Sequence, residues 1–127
     1  MNDDLIWLDP DDDQPEGSTV EALRMEWTPP GLEREIRVMN MLDLSPRDDR
    51  IAKAACGLGA MEMTSTQGPL GLLGVWLFAG RQAGLSESYR QLEPMFTMRL
   101  LGAGDAAVTI GVRVNDDAAT GDDGDPT

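Results

Sequence analysis

Apolar and polar positions alternate with two different periods along this chain, and the change of period marks its elements. Val108, Ile110, Val112 and Val114 alternate with Thr109, Gly111 and Arg113, which predicts a strand over Ala107–Val114. Leu23, Met25 and Trp27 alternate with Arg24 and Glu26, yet Ser18-Thr19-Val20-Glu21 has the form of a helix capping box. Val20–Trp27 therefore stays open between helix and strand. Strand is the better fit, because the Thr28-Pro29-Pro30-Gly31 break leaves room for about two helical turns. Beyond that break Leu32, Ile36 and Met39 fall at i, i+4 and i+7 around Glu33, Arg34, Glu35 and Arg37. This spacing predicts an amphipathic helix with acids early and bases late.

Ser45-Pro46-Arg47-Asp48 is a helix start, with Ser as N-cap, Pro at the first helical position and Asp48 and Asp49 in the first turn. Ile51, Ala55 and Leu58 share one face; Gly57 and Gly59 weaken its end, and Met61-Glu62-Met63 continues or restarts it. Thr64–Gly68 reads as a connection. Pro69–Gln82 is the most apolar part of the chain and predicts the central helix, stopped at Gly84. Ser86 is placed to cap a short helix that Pro94 interrupts, and Met95–Leu101 forms a further turn or two before Gly102-Ala103-Gly104-Asp105. The expected fold class is mainly α, about four helices with one or two short strands.

Charge adds a second layer of organisation. The 127 residues carry 23 Asp and Glu against 10 Lys and Arg, a formal net charge of -13. Met1–Glu21 holds eight acids and Val114–Thr127 five, neither with a base, while Ala22–Arg113 is balanced. The expected organisation is an acidic, flexible N-terminal arm over 1–19, a helical body over 20–114 and an acidic, disordered tail over 115–127. Leu5-Ile6-Trp7-Leu8 interrupts the arm and suits either a short edge strand or an anchor docking on the body or a partner. Such acidity argues against nucleic acid and anionic membranes as partners. Pro69–Gly80, about 12 residues long, falls short of the ~20 that a membrane span needs, and the acidic start is unlike a secretory signal. Lone Cys56 cannot pair within the chain. A soluble cytoplasmic protein is expected.

Candidate chemistry is sparse. With no histidine, Ser-His-Asp and Cys-His machinery and most zinc sites fall away, so no catalytic residue, metal ligand or cofactor site is expected. Asp9–Asp13 sets acids at positions 1, 3 and 5 of an EF-hand-like loop. Gln14 and Val20 stand where Gly and Glu are required, so a solvated acidic segment is the better reading, as for Asp122-Asp123-Gly124-Asp125. Gly68, Gly71 and Gly74 lack the neighbours of a phosphate loop and suit close helix packing. Cys56 reads as a small buried residue. The pairs Glu33/Glu35 and Asp48/Asp49 read as helix N-terminal charges, and Glu62, between two methionines, is the acid to check for burial. Eight methionines fill core or, where exposed, offer an adaptable surface for a partner helix.

Gly71–Met95, with Trp76, Arg81, Gly84, Ser86, Glu87 and Leu92, resembles the tail assembly chaperones of long-tailed bacteriophages. In that family an apolar Trp-bearing helix runs into an Arg-bearing end, then Gly, then a short Ser/Thr-capped helix. Leu32–Met63 and the Asp-rich C-terminus follow the same layout; the acidic arm before Val20 and Arg81-Gln82 in place of an Arg-Arg pair depart from it. The resemblance implies a non-enzymatic protein of the infected cell's cytoplasm. It would coat the apolar, helical tape-measure protein and help deliver tail-tube subunits, with a longer frameshifted form near the C-terminus. Leu72, Trp76, Leu77, Tyr89, Leu92 and Met95 are the expected partner-binding residues, and a homo-oligomer is compatible with this role. The alternatives are an acidic decoy that uses Asp9–Glu16 and Asp116–Asp125 on a basic groove, or a virion subunit whose Ala107–Val114 strand joins a sheet across subunits.

Overall fold

Pairing across the Thr28–Arg34 turn decides the first half of the chain. Strand β2 (Ser18–Trp27) and strand β3 (Glu35–Asn40) form an antiparallel hairpin in which Trp27 faces Glu35 and Ala22 faces Asn40. The helix expected over Leu32–Met39 is thus a strand. Its other period wins: Arg37 and Met39 turn inward and are buried, while Ile36 and Val38 turn to the opposite face. Ladder bonds to β2 satisfy a backbone that an isolated two-turn helix would satisfy poorly.

The computed structural model describes residues 5–114. Besides the hairpin, they comprise β1 (Ile6–Leu8), α1 (Pro46–Cys56), α2 (Ala60–Thr64), α3 (Pro69–Gln82), α4 (Tyr89–Leu92), α5 (Met98–Ala103) and β4 (Ala107–Val114). Single 3-10 turns cover Met41–Asp43 and Glu93–Met95. With 42% helix and 25% strand, the fold is mixed α/β, and the expected mainly α class is corrected by one four-stranded antiparallel sheet of order β1-β4-β2-β3. The expected tail over 115–127 lies outside the described residues. The start of the acidic arm is part of the sheet: β1 is an edge strand, with Ile6 opposite Val112 and Leu8 opposite Ile110. Both β1 and β2 run antiparallel to β4 and flank it, so Asp9–Gly17 carries the chain from one side of β4 to the other.

Helix starts follow their caps. Ser45 Oγ accepts from Asp48 N while Asp48 Oδ2 accepts from Ser45 N, the reciprocal box expected for α1. Asp49 accepts from Ala60 N and so serves α2, a restarted helix, rather than its own. Exposed Glu62 closes the same start by accepting from Gly59 N. For α4 the cap is Ser88, not Ser86, because Ser88 Oγ accepts from Gln91 N.

The core lies between the sheet and the helices. Helix α3 crosses the inner side of β3 and β2, and Trp76, Leu77, Phe78, Leu73 and Val75 pack with Met25, Trp27 and Met39. Trp27 is fully buried, edge-on to Trp76 at 5.2 Å between ring centroids and tilted against Phe96 at 4.6 Å. Its Nε1 donates to the Leu100 carbonyl. On the far side of the sheet Trp7 lies over Gly111, where a Cβ would meet the ring at 2.9 Å, and the Arg24 guanidinium stacks 4.7 Å from the ring centroid. Trp7 thereby fastens β1 to the sheet as an anchor as well as an edge.

The close-packing reading of the glycines holds at Gly74, which lies against α2, and at Gly71, which lies against the turn before α3, but not at Gly68, whose surroundings are open and whose φ of 89° is what calls for glycine. A Cβ on Gly71 would run into the Thr66 carbonyl, and one on Gly74 would press on Met63 at 3.1 Å. Gly71→Ala is expected to cost about 1–3 kcal/mol by overpacking. Gly102→Ala, in a helix with open space around it, should instead gain up to ~1 kcal/mol. Urea denaturation of the two variants measures both signs.

Candidate functional site

Of the residues nominated for partner binding, Trp76, Leu77 and Leu92 are about 1% exposed and belong to the core. Leu72, Tyr89 and Met95 are partly buried and pack against that core. The six therefore do not form one surface. Trp76 and Leu77 hold α3 on the sheet, and Tyr89 lines an open cleft of about 500 Å³ between α1 and α4, with Ile51, Ala55 and Glu93. The apolar helix that stands out in the sequence is mostly core, with nine of its fourteen residues buried.

The most unusual charged group is Arg37, only 8% exposed on β3. Its Nε donates to Glu35 Oε2 at 2.6 Å, and Nη1 and Nη2 donate to the two carboxylate oxygens of Glu87 at 2.7 and 3.1 Å. Nη1 also donates to the Trp76 carbonyl, and the guanidinium carbon lies 4.2 Å from the Trp76 ring centroid. A Cβ on Gly80 would come within 2.7 Å of Nη1, so that glycine is the notch through which the guanidinium reaches α3. Burial opposes the charge, but the Glu87 and Glu35 hydrogen bonds outweigh it and raise the Arg37 pKa above its ordinary value. Each Arg37 nitrogen donates within the chain, four of its five N–H groups in all, as befits a structural cation. Glu35, placed by sequence at a helix N-terminus, is a strand residue in this cluster. Asp48, by contrast, keeps its cap position and also accepts from Arg81 Nε at 3.3 Å, joining α1 to the end of α3.

A different surface has the character of a binding site. Between the Met41–Asp43 turn, α1 and α2 lies an open cleft of about 510 Å³ with an apolar floor of Met41, Leu44, Pro46 and Met61 and a rim bearing Asp49 and Lys53. Met61 is 54% exposed, and Leu42 beside the cleft is 74% exposed. Neither Leu44 nor Met61 was singled out by periodicity, since both sit in segments too short to show one. For Met61 the one signal in the sequence is the methionine count, and for Leu44 there is none. Met25, Met39 and Met63 are fully buried, while Met61 and Met98 are exposed.

Among the described residues no group of three or more His, Cys, Asp or Glu is placed to hold a metal ion. Asp9–Asp12 is an exposed turn closed on itself, with Asp12 N donating to Asp9 O and Asp9 N to Asp12 Oδ2. Asp122–Asp125 lies outside the described residues. Cys56 is partly buried, near Tyr89. No described helix is long and apolar enough to cross a membrane. The chain matches no protein-family model, no curated protein and no solved structure.

Two outcomes test this account of the charged groups. Arg37→Ala should lose about 2–3 kcal/mol in urea denaturation, less than a fully buried pair because Glu35 and Glu87 stay partly solvated. Arg37→Lys should recover less than half, lacking the planar fork. Tyr89 is the chain's single tyrosine, and burial, then Glu93, raise its pKa above 10.0. The fold thus favours the neutral phenol: its contribution is complete below pH 10 and is lost as pH rises through the folded-state value. Absorbance titration of the phenolate should give a midpoint above 10.0 that falls in Glu93→Gln.

Proposed function

We propose that this chain is a non-enzymatic tail assembly chaperone of a long-tailed bacteriophage. It holds apolar helical segments of the tape-measure protein in solution and assists tail-tube assembly. The observation that carries this reading is the Met41–Leu44–Pro46–Met61 cleft, an adaptable apolar surface left open beside helices that the core already holds rigid. Methionine side chains repack around varied apolar partners, and an amphipathic helix meets such a groove through residues at i, i+3, i+4 and i+7. The resemblance over Gly71–Met95 supports the same role, with its Trp-bearing helix as scaffold rather than contact surface. The net charge of -13 supplies solubility to a complex with an apolar client.

Of the alternative readings, the acidic decoy has Asp9–Glu16 as an exposed acidic loop, while Asp116–Asp125 lies outside the described residues. The virion-subunit reading uses Ala107–Val114 as a joining strand. That strand is β4, paired along its length by β2 and on its other side by β1 over Ile110–Val112, so its central residues are already taken within the chain.

Co-expression with helical segments of a tape-measure protein from a long-tailed bacteriophage tests the proposal. The full chain should raise their soluble yield and co-purify with them at 500 mM NaCl as well as at low salt. Met61→Glu should weaken retention at least tenfold, while Met98→Glu on α5 should not. Retention that collapses with salt and ignores Met61→Glu favours the decoy.

A further inference from the structure

Strand β3 is the outermost strand of the sheet on the side opposite β1, and its free edge is half closed. At Asn40 the side chain of Gln82 behaves as a peptide group: its Oε1 accepts from Asn40 N at 2.7 Å and its Nε2 donates to Asn40 O at 2.9 Å. Those bonds show that the backbone of Asn40 points away from β2. By the alternation of an antiparallel strand, the N–H and C=O groups of Val38 and Ile36 point the same way. Among the described residues no side chain bonds to these four groups.

The exposed apolar residues gather on this strip. Seven large apolar side chains are exposed among the described residues, and three of them, Leu32, Ile36 and Leu42 at 62%, 57% and 74%, lie on or just beyond β3. A fourth, Leu85, lies next to Gly80 and so beside Arg37. Long apolar edges template pairing with another chain and are usually blunted by charge, proline or a bulge. Here blunting stops at Asn40.

We propose that β3 pairs antiparallel with β3 of a second copy of this chain, about a two-fold axis at Arg37, so that Ile36 of each copy faces Val38 of the other. This register follows from the free groups. Pairing Ile36 with Val38 in both directions satisfies the N–H and C=O of both residues in both copies and leaves the Gln82–Asn40 bonds intact. Centring on Val38 instead would set Ile36 against Asn40 and displace Gln82. The chosen register gathers two Ile36 and two Val38 side chains into one patch on the face away from the helices. It also brings the end of β3 that carries Leu42 alongside the start of β3 in the partner, which carries Leu32. On the inner face each Arg37 already has Glu35 and Glu87 of its own chain, so the guanidinium groups do not meet as bare charges, and each cluster keeps a net charge of -1 that its partly exposed carboxylates leave to solvent. The result is a continuous eight-stranded sheet.

Sedimentation equilibrium of the full chain from 5 µM to 1 mM, with amide hydrogen exchange at both ends of the range, tests this pairing. A monomer–dimer equilibrium is expected, with the Ile36 and Val38 amides exchanging at least tenfold more slowly at high concentration. Ile36→Lys changes an exposed side chain, and Val38→Pro removes an N–H that β2 does not use; each should weaken association at least tenfold. Ile36→Lys should leave the urea midpoint unchanged, which keeps the test valid where the proline variant fails to fold. A chain monomeric at 1 mM overturns the proposal. So does a dimer that survives Ile36→Lys, or one whose Ile36 and Val38 amides exchange as freely as in the monomer.

Discussion

Trp76 is held between Trp27 on one side and the Arg37 guanidinium on the other, and most of the fold is arranged around that column. Trp27 belongs to β2, Arg37 to β3 and Trp76 to α3, so one contact sequence fixes the hairpin against the central helix. The same arginine then recruits Glu87, which sets the course of the chain beyond α3. Gly80 and Gly104 are what this arrangement asks of the backbone. The first leaves room for Arg37, and the second lets the α5–β4 connection lie against Trp27 and the Thr28 carbonyl. Arg34 secures the same corner by donating to the Gly104 and Asp105 carbonyls.

The parts of the fold that the sequence announces are those where one period is unambiguous. Ala107–Val114 alternates cleanly and is β4; Pro69–Gln82 is apolar on every side and is the buried helix; Ser45-Pro46 starts α1 as its residues require. The segment Leu32–Met39 misleads because Leu32, Ile36 and Met39 fit a helix while Arg37 and Met39 fit a strand. The choice is made by β2, which no window around residue 36 contains. Arg37 adds to the error: it reads as a solvated base late in a helix, yet it is one of the most buried charges, with partners two and fifty residues away.

The exposed apolar surface was less legible than the fold. Ranking residues by apolarity selects Trp76, Leu77 and Leu92, which a folded chain buries first. Residues left for a partner are the apolar side chains on elements too short to hide them: Leu42 on a single 3-10 turn, Met61 on a five-residue helix, Ile36 on an edge strand. Nothing in local spacing separates these from core residues. Their exposure results from how neighbouring elements pack, and it is where both the cleft and the β3 edge acquire their character.

The position of β4 has a consequence for the making of the protein. This last element lies between β1 and β2, the first two, so the sheet has a gap at its centre until the end of the chain arrives. Roughly a hundred residues separate β1 from its only partner strand, an interval of about 5–20 s at ordinary ribosomal rates. Through that time the hairpin and helices have left the ribosome, while Leu5, Ile6 and Trp7 have nothing to pair with. The first and the last described strands therefore complete the sheet together. The strand that comes latest is thus an interior one, and its arrival turns two separate strand edges into a single sheet.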